Sequence, residues 1–483
     1  MNHMNHTPSL IGQWASRDAG TLLHILSDTN ALLDLSDCGE YGVIAVLHRE
    51  DDTLCFTSEI LCGELRLTDP ATLQGTCVRG RKKTDVSFEK VSDRPLPHAC
   101  HHAPYEEPTA VPDDFSRSTA VLTGCYHSPT LYNFYMNLAD ADGRLRVTLS
   151  LDGRIGFSPL SVWFEDGALV WQINDAFNRG VCTLRPADNG SLCGSYTQLG
   201  KPDKAVRFEK LSDTPRKLLT EEETVIPLPE DKSRLELLRA YAAYGSGEQK
   251  PLYTYALDTP MPDSLRAELD TLGYSDYIRG KTGDALVFAC LDFMGDHFHH
   301  NGSGGCGGCG LEKILHWSAE RDHQTNCRGL SLMLAALLRY NGIRAAHVTC
   351  MPYEQPFDDC HVVVDCFLPS GGRILLDPTY HLYFRDAQGG YVSLQRLRTI
   401  LLTDGELIPN EDARYTGDPA SHFQLEDYRD YMAKNTLYFN RSLHSADGID
   451  TSTAVYLFPL SYPSERIQKS ANAIIRTDET AFW

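Results

Sequence analysis

The chain has no long apolar run. No uncharged apolar stretch in its 483 residues approaches the roughly 18 that an ordinary membrane-spanning helix needs. It also lacks a basic excess. Its 44 Lys and Arg stand against 65 Asp and Glu, a formal net charge of −21. Such a surface repels phosphate backbones and anionic lipid, so neither nucleic acid nor membrane is an expected partner. The opening Met1-Asn2-His3-Met4-Asn5-His6 has no basic cluster and no apolar stretch behind it, unlike a secretory leader. The expectation is a cytoplasmic chain. The 15 cysteines are odd in number and read as reduced thiols rather than a disulfide framework.

The length implies about three domains at roughly 150 residues each. Up to Asp213 the texture is that of short strands, such as Leu145-Arg146-Val147-Thr148-Leu149, Ser161-Val162-Trp163-Phe164 and Ala168-Leu169-Val170-Trp171. Asp142-Gly143, Asp152-Gly153, Asp166-Gly167 and Asn189-Gly190 supply the positive φ angles of tight hairpins between them. The segment also repeats. Val86-Ser87-Phe88-Glu89-Lys90-Val91-Ser92-Asp93 returns as Val206-Arg207-Phe208-Glu209-Lys210-Leu211-Ser212-Asp213, and Leu73-Gln74-Gly75-Thr76 returns as Leu192-Cys193-Gly194-Ser195. The offsets are 206 − 86 = 120 and 192 − 73 = 119. Ile11-Gly12-Gln13-Trp14 and Thr123-Gly124-Cys125-Tyr126 share a Gly before an aromatic. The expected organisation is a β module over 1–95, a Pro- and His-rich linker over 96–118, a second module over 119–213, and a different domain over 214–483. With their Gly-aromatic start and closing Phe-Glu-Lys strand, the two small antiparallel barrel or sandwich modules resemble the lipocalin-like barrels that accompany hydrolases in bacterial proteins. Barrels of this size are filled by side chains or hold one small ligand.

Beyond Thr214 the chain mixes helices and strands. Leu235, Leu238 and Ala242 mark a helix over 233–244, with Ser233 placed to cap it. The chemistry lies between Thr325 and Tyr383. Cys327 through Tyr340 is a helix by periodicity, with Leu330, Leu334, Leu337 and Leu338 as its stripe and Asn341-Gly342 as its stop. Thr325 or Asn326 can cap it. Cys327 is then in the first turn, where free backbone N–H groups favour a thiolate. A strand over 343–349 follows, then a strand led by His361, then Arg373-Ile374-Leu375-Leu376 ending at Asp377-Pro378. The separations are 361 − 327 = 34 and 377 − 361 = 16. A hairpin between His361 and Asp377 sets them side by side, about 5 Å apart if directly opposed. A nucleophile, a base and a group that orients the base are what thiol catalysis needs. Asp365 is a poor rival, lying about 13 Å along the same strand from His361.

Asn326-Cys327-Arg328, the aliphatic helix ending at Gly342, Asp359-Cys360-His361-Val362 and Leu376-Asp377-Pro378-Thr379 together resemble the transglutaminase-like superfamily. The resemblance covers about 285–405 most specifically. It implies an α+β, papain-like core on the C-terminal side, with Cys327 as nucleophile, His361 as general base and acid, and Asp377 as orienter. The implied activity is acyl transfer or hydrolysis on a peptide or protein substrate, by protease, amidase or transglutaminase-type chemistry, with no cofactor. The backbone N–H of Cys327 would be one oxyanion donor, and Asn326, Gln324, His299 and His300 are candidates for a second. Asn326 stands where many members have Gly, and valines follow His361 where many have an aromatic. These departures bear on the oxyanion hole and the donor channel. The competing reading is an inert transglutaminase-like scaffold that binds a ligand or protein.

Other signals carry less. Cys306 and Cys309 near His297, His299 and His300 have no second Cys pair, so a zinc site is not expected and the glycine-rich loop reads as a flank of the cleft. Gly305 through Gly310 fits G-x-G-x-x-G, but no strand precedes it and Leu330 stands where an acidic residue belongs. His98, Cys100, His101 and His102 sit in linker composition and read as solvated.

Overall fold

The computed structural model describes residues 10–483 apart from 17–20, 26, 36–39, 51–52, 59–60, 80–81, 93–108, 113–114, 116–118, 132–133, 160, 176–177, 188, 199–202, 248–252, 303–304, 419, 421, 449–452 and 470–471. Most of the expected linker, with His98, Cys100, His101 and His102, lies outside the described residues. The chain forms two compact units, 1–221 and 222–483.

In the first unit, eight antiparallel strands from Gly12–Ser16 to Lys82–Ser92 close into a barrel, the first strand pairing with the last. Trp14, Leu33, Leu65, Leu73 and Phe88 are fully buried in it. A second meander runs from Gly124–Ser128 to Lys204–Ser212, and its first and last strands also pair. Thr109–Ala110, in the stretch expected to be linker, adds a ninth strand beside Arg144 and Leu145. Phe115 from that same stretch joins the module's core, where its apolar ring leaves water. The hairpin signals act as their residues dictate. Asp142 and Gly143 have φ of 56° and 79°, and Asp166 and Gly167 have 47° and 68°, so both hairpins turn on two left-handed residues.

The sequence repeat is a repeat of geometry. Trp14 pairs with Lys90 just after a register shift, and Tyr126 pairs with Lys210 just after the equivalent shift. The Trp14 indole N–H donates to the Leu10 carbonyl at 2.8 Å, and the Tyr126 hydroxyl donates to the Leu122 carbonyl at 2.8 Å. The Lys90 ammonium lies 5.5 Å from the Trp14 ring centre, and that of Lys210 lies 5.8 Å from Tyr126, a cation–π pair in each module. The two conserved-in-repeat glycines have a steric cause. A Cβ on Gly75 would lie 1.9 Å from the Glu64 carbonyl oxygen, and one on Gly194 would lie 1.7 Å from that of Thr183.

The second unit is built on a six-stranded sheet in the order Arg373–Leu376, His361–Phe367, Ala345–Met351, Tyr438–Ser442, Ala454–Leu457, Ile474–Arg476. All neighbours are antiparallel except the last pair. On one face Ala345, Val364, Cys366, Ile374 and Leu376 meet the helices Asp284–His297, Leu311–Ala319 and Cys327–Tyr340. On the other, Val348, Cys350, Val363, Leu375 and Phe439 meet Arg234–Ala240, Leu394–Thr403 and Leu425–Asn435. Asp365 points into this second face and is neutralised by Arg373 and by Arg441 at 3.1 Å. That pairing explains a fully buried carboxylate. The expected cap at Ser233 is present as a reciprocal capping box with Glu236, although the helix ends at Ala240. Among the described residues, no helix is long and apolar enough to cross a membrane.

Candidate active site

The helix Cys327–Tyr340 starts where its sequence says it should. Asn326 takes the cap, its side-chain oxygen accepting the Gly329 N–H at 2.9 Å. Leu332, Met333, Ala335 and Ala336 are buried along with the expected leucine stripe. The helix lies between the sheet and its partner helices, so none of its residues is exposed. Ser331 donates to the Val362 carbonyl at 2.8 Å and ties the helix to the histidine strand. The Cys327 sulfur faces the Cys360 carbonyl at 4.0 Å, one residue before His361.

His361 Nε2 and Asp377 Oδ2 are 2.7 Å apart, and both side chains are buried. The pair is diagonal rather than directly opposed. Val364 stands opposite Leu376, so Asp377 falls one step further on, beside Val363. The Asp377 carboxylate also accepts the Thr379 N–H at 3.0 Å and the Tyr428 hydroxyl at 2.9 Å. Burial and the Asp377 charge keep that phenol protonated far into alkaline pH. Tyr431 and Tyr380 set their rings against the imidazole at 5.2 Å and 6.2 Å, edge to face.

His299 and His300 form a two-residue strand running parallel to Gln324–Thr325, directly before the cap residue. Successive side chains of a strand point to opposite faces. His299 Nδ1 contacts the Thr416 carbonyl at 3.0 Å, whereas His300 Nδ1 meets the Tyr415 hydroxyl at 2.8 Å and its ring reaches the thiol. The Gln324 side-chain oxygen accepts from Asn301 at 3.0 Å and that of Asn326 accepts the Gly329 N–H in the cap, which leaves the amide NH2 of each as a donor. Of the four candidates for a second oxyanion donor, His300 is the one whose ring acts on the Cys327 thiol.

The electrostatics follow. Burial pushes the Cys327 thiol up, but the nearby His300 and His361, which favour the thiolate, outweigh it and bring the thiol down to about 6. Burial pushes His361 down, and the Asp377 charge and hydrogen bond, with Cys327, carry it up to about 10. Between those values the stable form is a thiolate beside an imidazolium. The glycine loop backs the thiol. Its Gly305 carbonyl accepts from the Asn326 N–H at 3.3 Å and the Thr325 hydroxyl at 3.2 Å. The Cys306 and Cys309 thiols turn to two different carbonyls, of Gly308 and Gly448.

Asp292, His381 and Asp412 are the one cluster among the described residues with metal-ligand spacing, within 4.8 Å. Arg414 Nη1 contacts His381 Nδ1 at 2.6 Å, so a cation already sits on that imidazole. The residues read as an ion-pair network. The tyrosines around His361 and His300 were not singled out in the sequence. Tyr428 and Tyr431, three apart on the helix Leu425–Asn435, offered a faint signal of one shared face.

No family model matches the chain, and no curated protein matches it in sequence. Among solved structures it is similar to the periplasmic domain of TgpA from Pseudomonas aeruginosa, crystallised with ethylmercury. That match is 16% identical, covers 58% of this chain and 97% of that one, and has a TM-score of 0.17. It is also similar to a candidate protease from Parabacteroides distasonis at 9% identity, 71% and 68% coverage and a TM-score of 0.19. Scores this low carry no argument about fold or chemistry, so the case rests on the site itself.

Proposed function

We propose that residues 222–483 are a thiol-dependent enzyme of transglutaminase-like type, transferring or hydrolysing the acyl group of a peptide or amide. One observation carries the reading: a helix-start thiol set against the start of the His361 strand, with His361 locked to the buried Asp377 carboxylate at 2.7 Å. The Cys327 thiolate attacks the carbonyl carbon. The Cys327 N–H and His300 face the oxyanion. The His361 imidazolium gives its proton to the leaving amine, and Asp377 holds the ring and its charge. Water or a second amine then takes the thioester, with His361 accepting its proton. Water makes the enzyme a peptidase or amidase, and an amine makes it a cross-linker.

Iodoacetamide at neutral pH tests this. Cys327 should alkylate ahead of every other thiol, and His361→Ala should slow it. If Cys327 reacts no faster than the rest and His361→Ala changes nothing, the enzyme reading fails and the binding scaffold stands.

A further inference from the structure

A separate cleft of about 270 Å³ opens at the other end of the cysteine helix, where Ala336, Arg339 and Tyr340 line it. Twelve residues at the helical rise put Arg339 about 18 Å along the axis from Cys327. Arg339 is 4% exposed. Its Nη1 donates to the Ala345 carbonyl at 2.9 Å, and its remaining N–H groups make no hydrogen bond among the described residues. None of its remaining nitrogens is among the buried atoms that lack a partner, so these donors open onto the cleft and are free to meet a ligand there. Asp447 acts on Arg339 through its charge and makes its hydrogen bonds to other groups. Its carboxylate accepts the Leu311 N–H at 2.7 Å, the Gly448 N–H at 3.0 Å and the Tyr340 hydroxyl at 2.8 Å. Burial draws Arg339 down to about 10, and the Asp447 charge offsets that only in part.

The occupant's chemistry follows from the lining. The planar fork of Arg339 matches a carboxylate. The lining carries two cations, Arg339 and Lys313, and two anions, Asp447 and Glu312. A phosphate dianion would meet both acids, whereas a zwitterion matches both signs. The Ala336 methyl supplies an apolar wall, and the volume is below that of a drug-sized pocket. We propose that this cleft binds a small zwitterion of amino-acid size, with its carboxylate on Arg339 and its ammonium toward Glu312 and Asp447. This site is independent of the thiol chemistry.

Calorimetric titration of the full chain with free L-alanine, L-serine and L-glutamate tests it. L-alanine methyl ester, propionate and inorganic phosphate are the comparators. At least one amino acid should bind, the ester and propionate should bind more weakly by about tenfold or more, and phosphate should not bind. Arg339→Gln should cost a similar factor. Ala336→Leu, which fills the cleft and leaves Arg339 in place, should abolish binding, and Cys327→Ala should leave it unchanged. Absence of binding by all three amino acids, equal binding of the ester, binding of phosphate alone, or full binding by a folded Ala336→Leu protein would each overturn the proposal. The ester comparison uses the unaltered protein, so a misfolded variant cannot obscure the result.

Discussion

The Cys327–His361 pair sets a pH signature. The thiolate fraction rises through about 6 instead of the roughly 8.5 of a free thiol, so alkylation should reach half its maximum near pH 6 and stay on plateau above it. Turnover on an amide should rise through the same point but fall as pH passes about 10, because His361 then has no proton for the leaving amine. Parallel pH profiles of alkylation and hydrolysis check the difference. His300→Ala should move the lower limb to higher pH, since it removes a hydrogen bond that lowers the thiol. Asp377→Asn should reduce turnover by about 10³-fold or more while leaving the fold intact, as loss of a triad carboxylate does. Tyr428→Phe removes one hydrogen bond to that carboxylate and should cost about 1 to 3 kcal/mol in urea unfolding. At this scale the sequence shows Cys327, His361 and Asp377, because their order and the elements they begin or end are local facts. Tyr428 and Tyr415 are not legible. Each reaches the site from 51 and 115 residues away in sequence, a separation no local period encodes.

Element ends were readable where a cap residue marks them. Asn326 begins the cysteine helix as its side chain requires, and Asn326→Ala should lower stability by about 1 kcal/mol, read as a shift in urea midpoint. The strand after it starts at Ala345 rather than Ile343. The helix-closing bonds from Gly342 N–H to the Arg339 carbonyl and from Ile343 N–H to that of Leu338 use the residues between. Sheet order was beyond reach of periodicity. Tyr438–Ser442 pairs beside Ala345–Met351 across almost a hundred residues, and Arg441 arrives there to cover Asp365. Arg441→Met should therefore destabilise the unit by roughly 3 to 5 kcal/mol, by leaving a buried carboxylate with one partner fewer.

The duplication in the first unit was legible as an offset, and its cause is structural: bulge, aromatic, lysine and glycine recur at equivalent places. What spacing could not reveal is the ninth strand at Thr109–Ala110, whose composition reads as linker. Two compact units imply more than one thermal transition. Scanning calorimetry should show Gly194→Ala lowering one transition and Asn326→Ala lowering another, with little cross-effect. The same molecule has an uneven thiol chemistry. Burial drives Cys125, Cys182, Cys290, Cys350, Cys360 and Cys366 up, while Cys327, among the described thiols whose pKa is displaced, is the one drawn down. A brief, mildly acidic pulse of a radiolabelled alkylator is then an internal tally: the moles of label retained per mole of chain report what fraction of a preparation is folded and competent, with no other cysteine replaced.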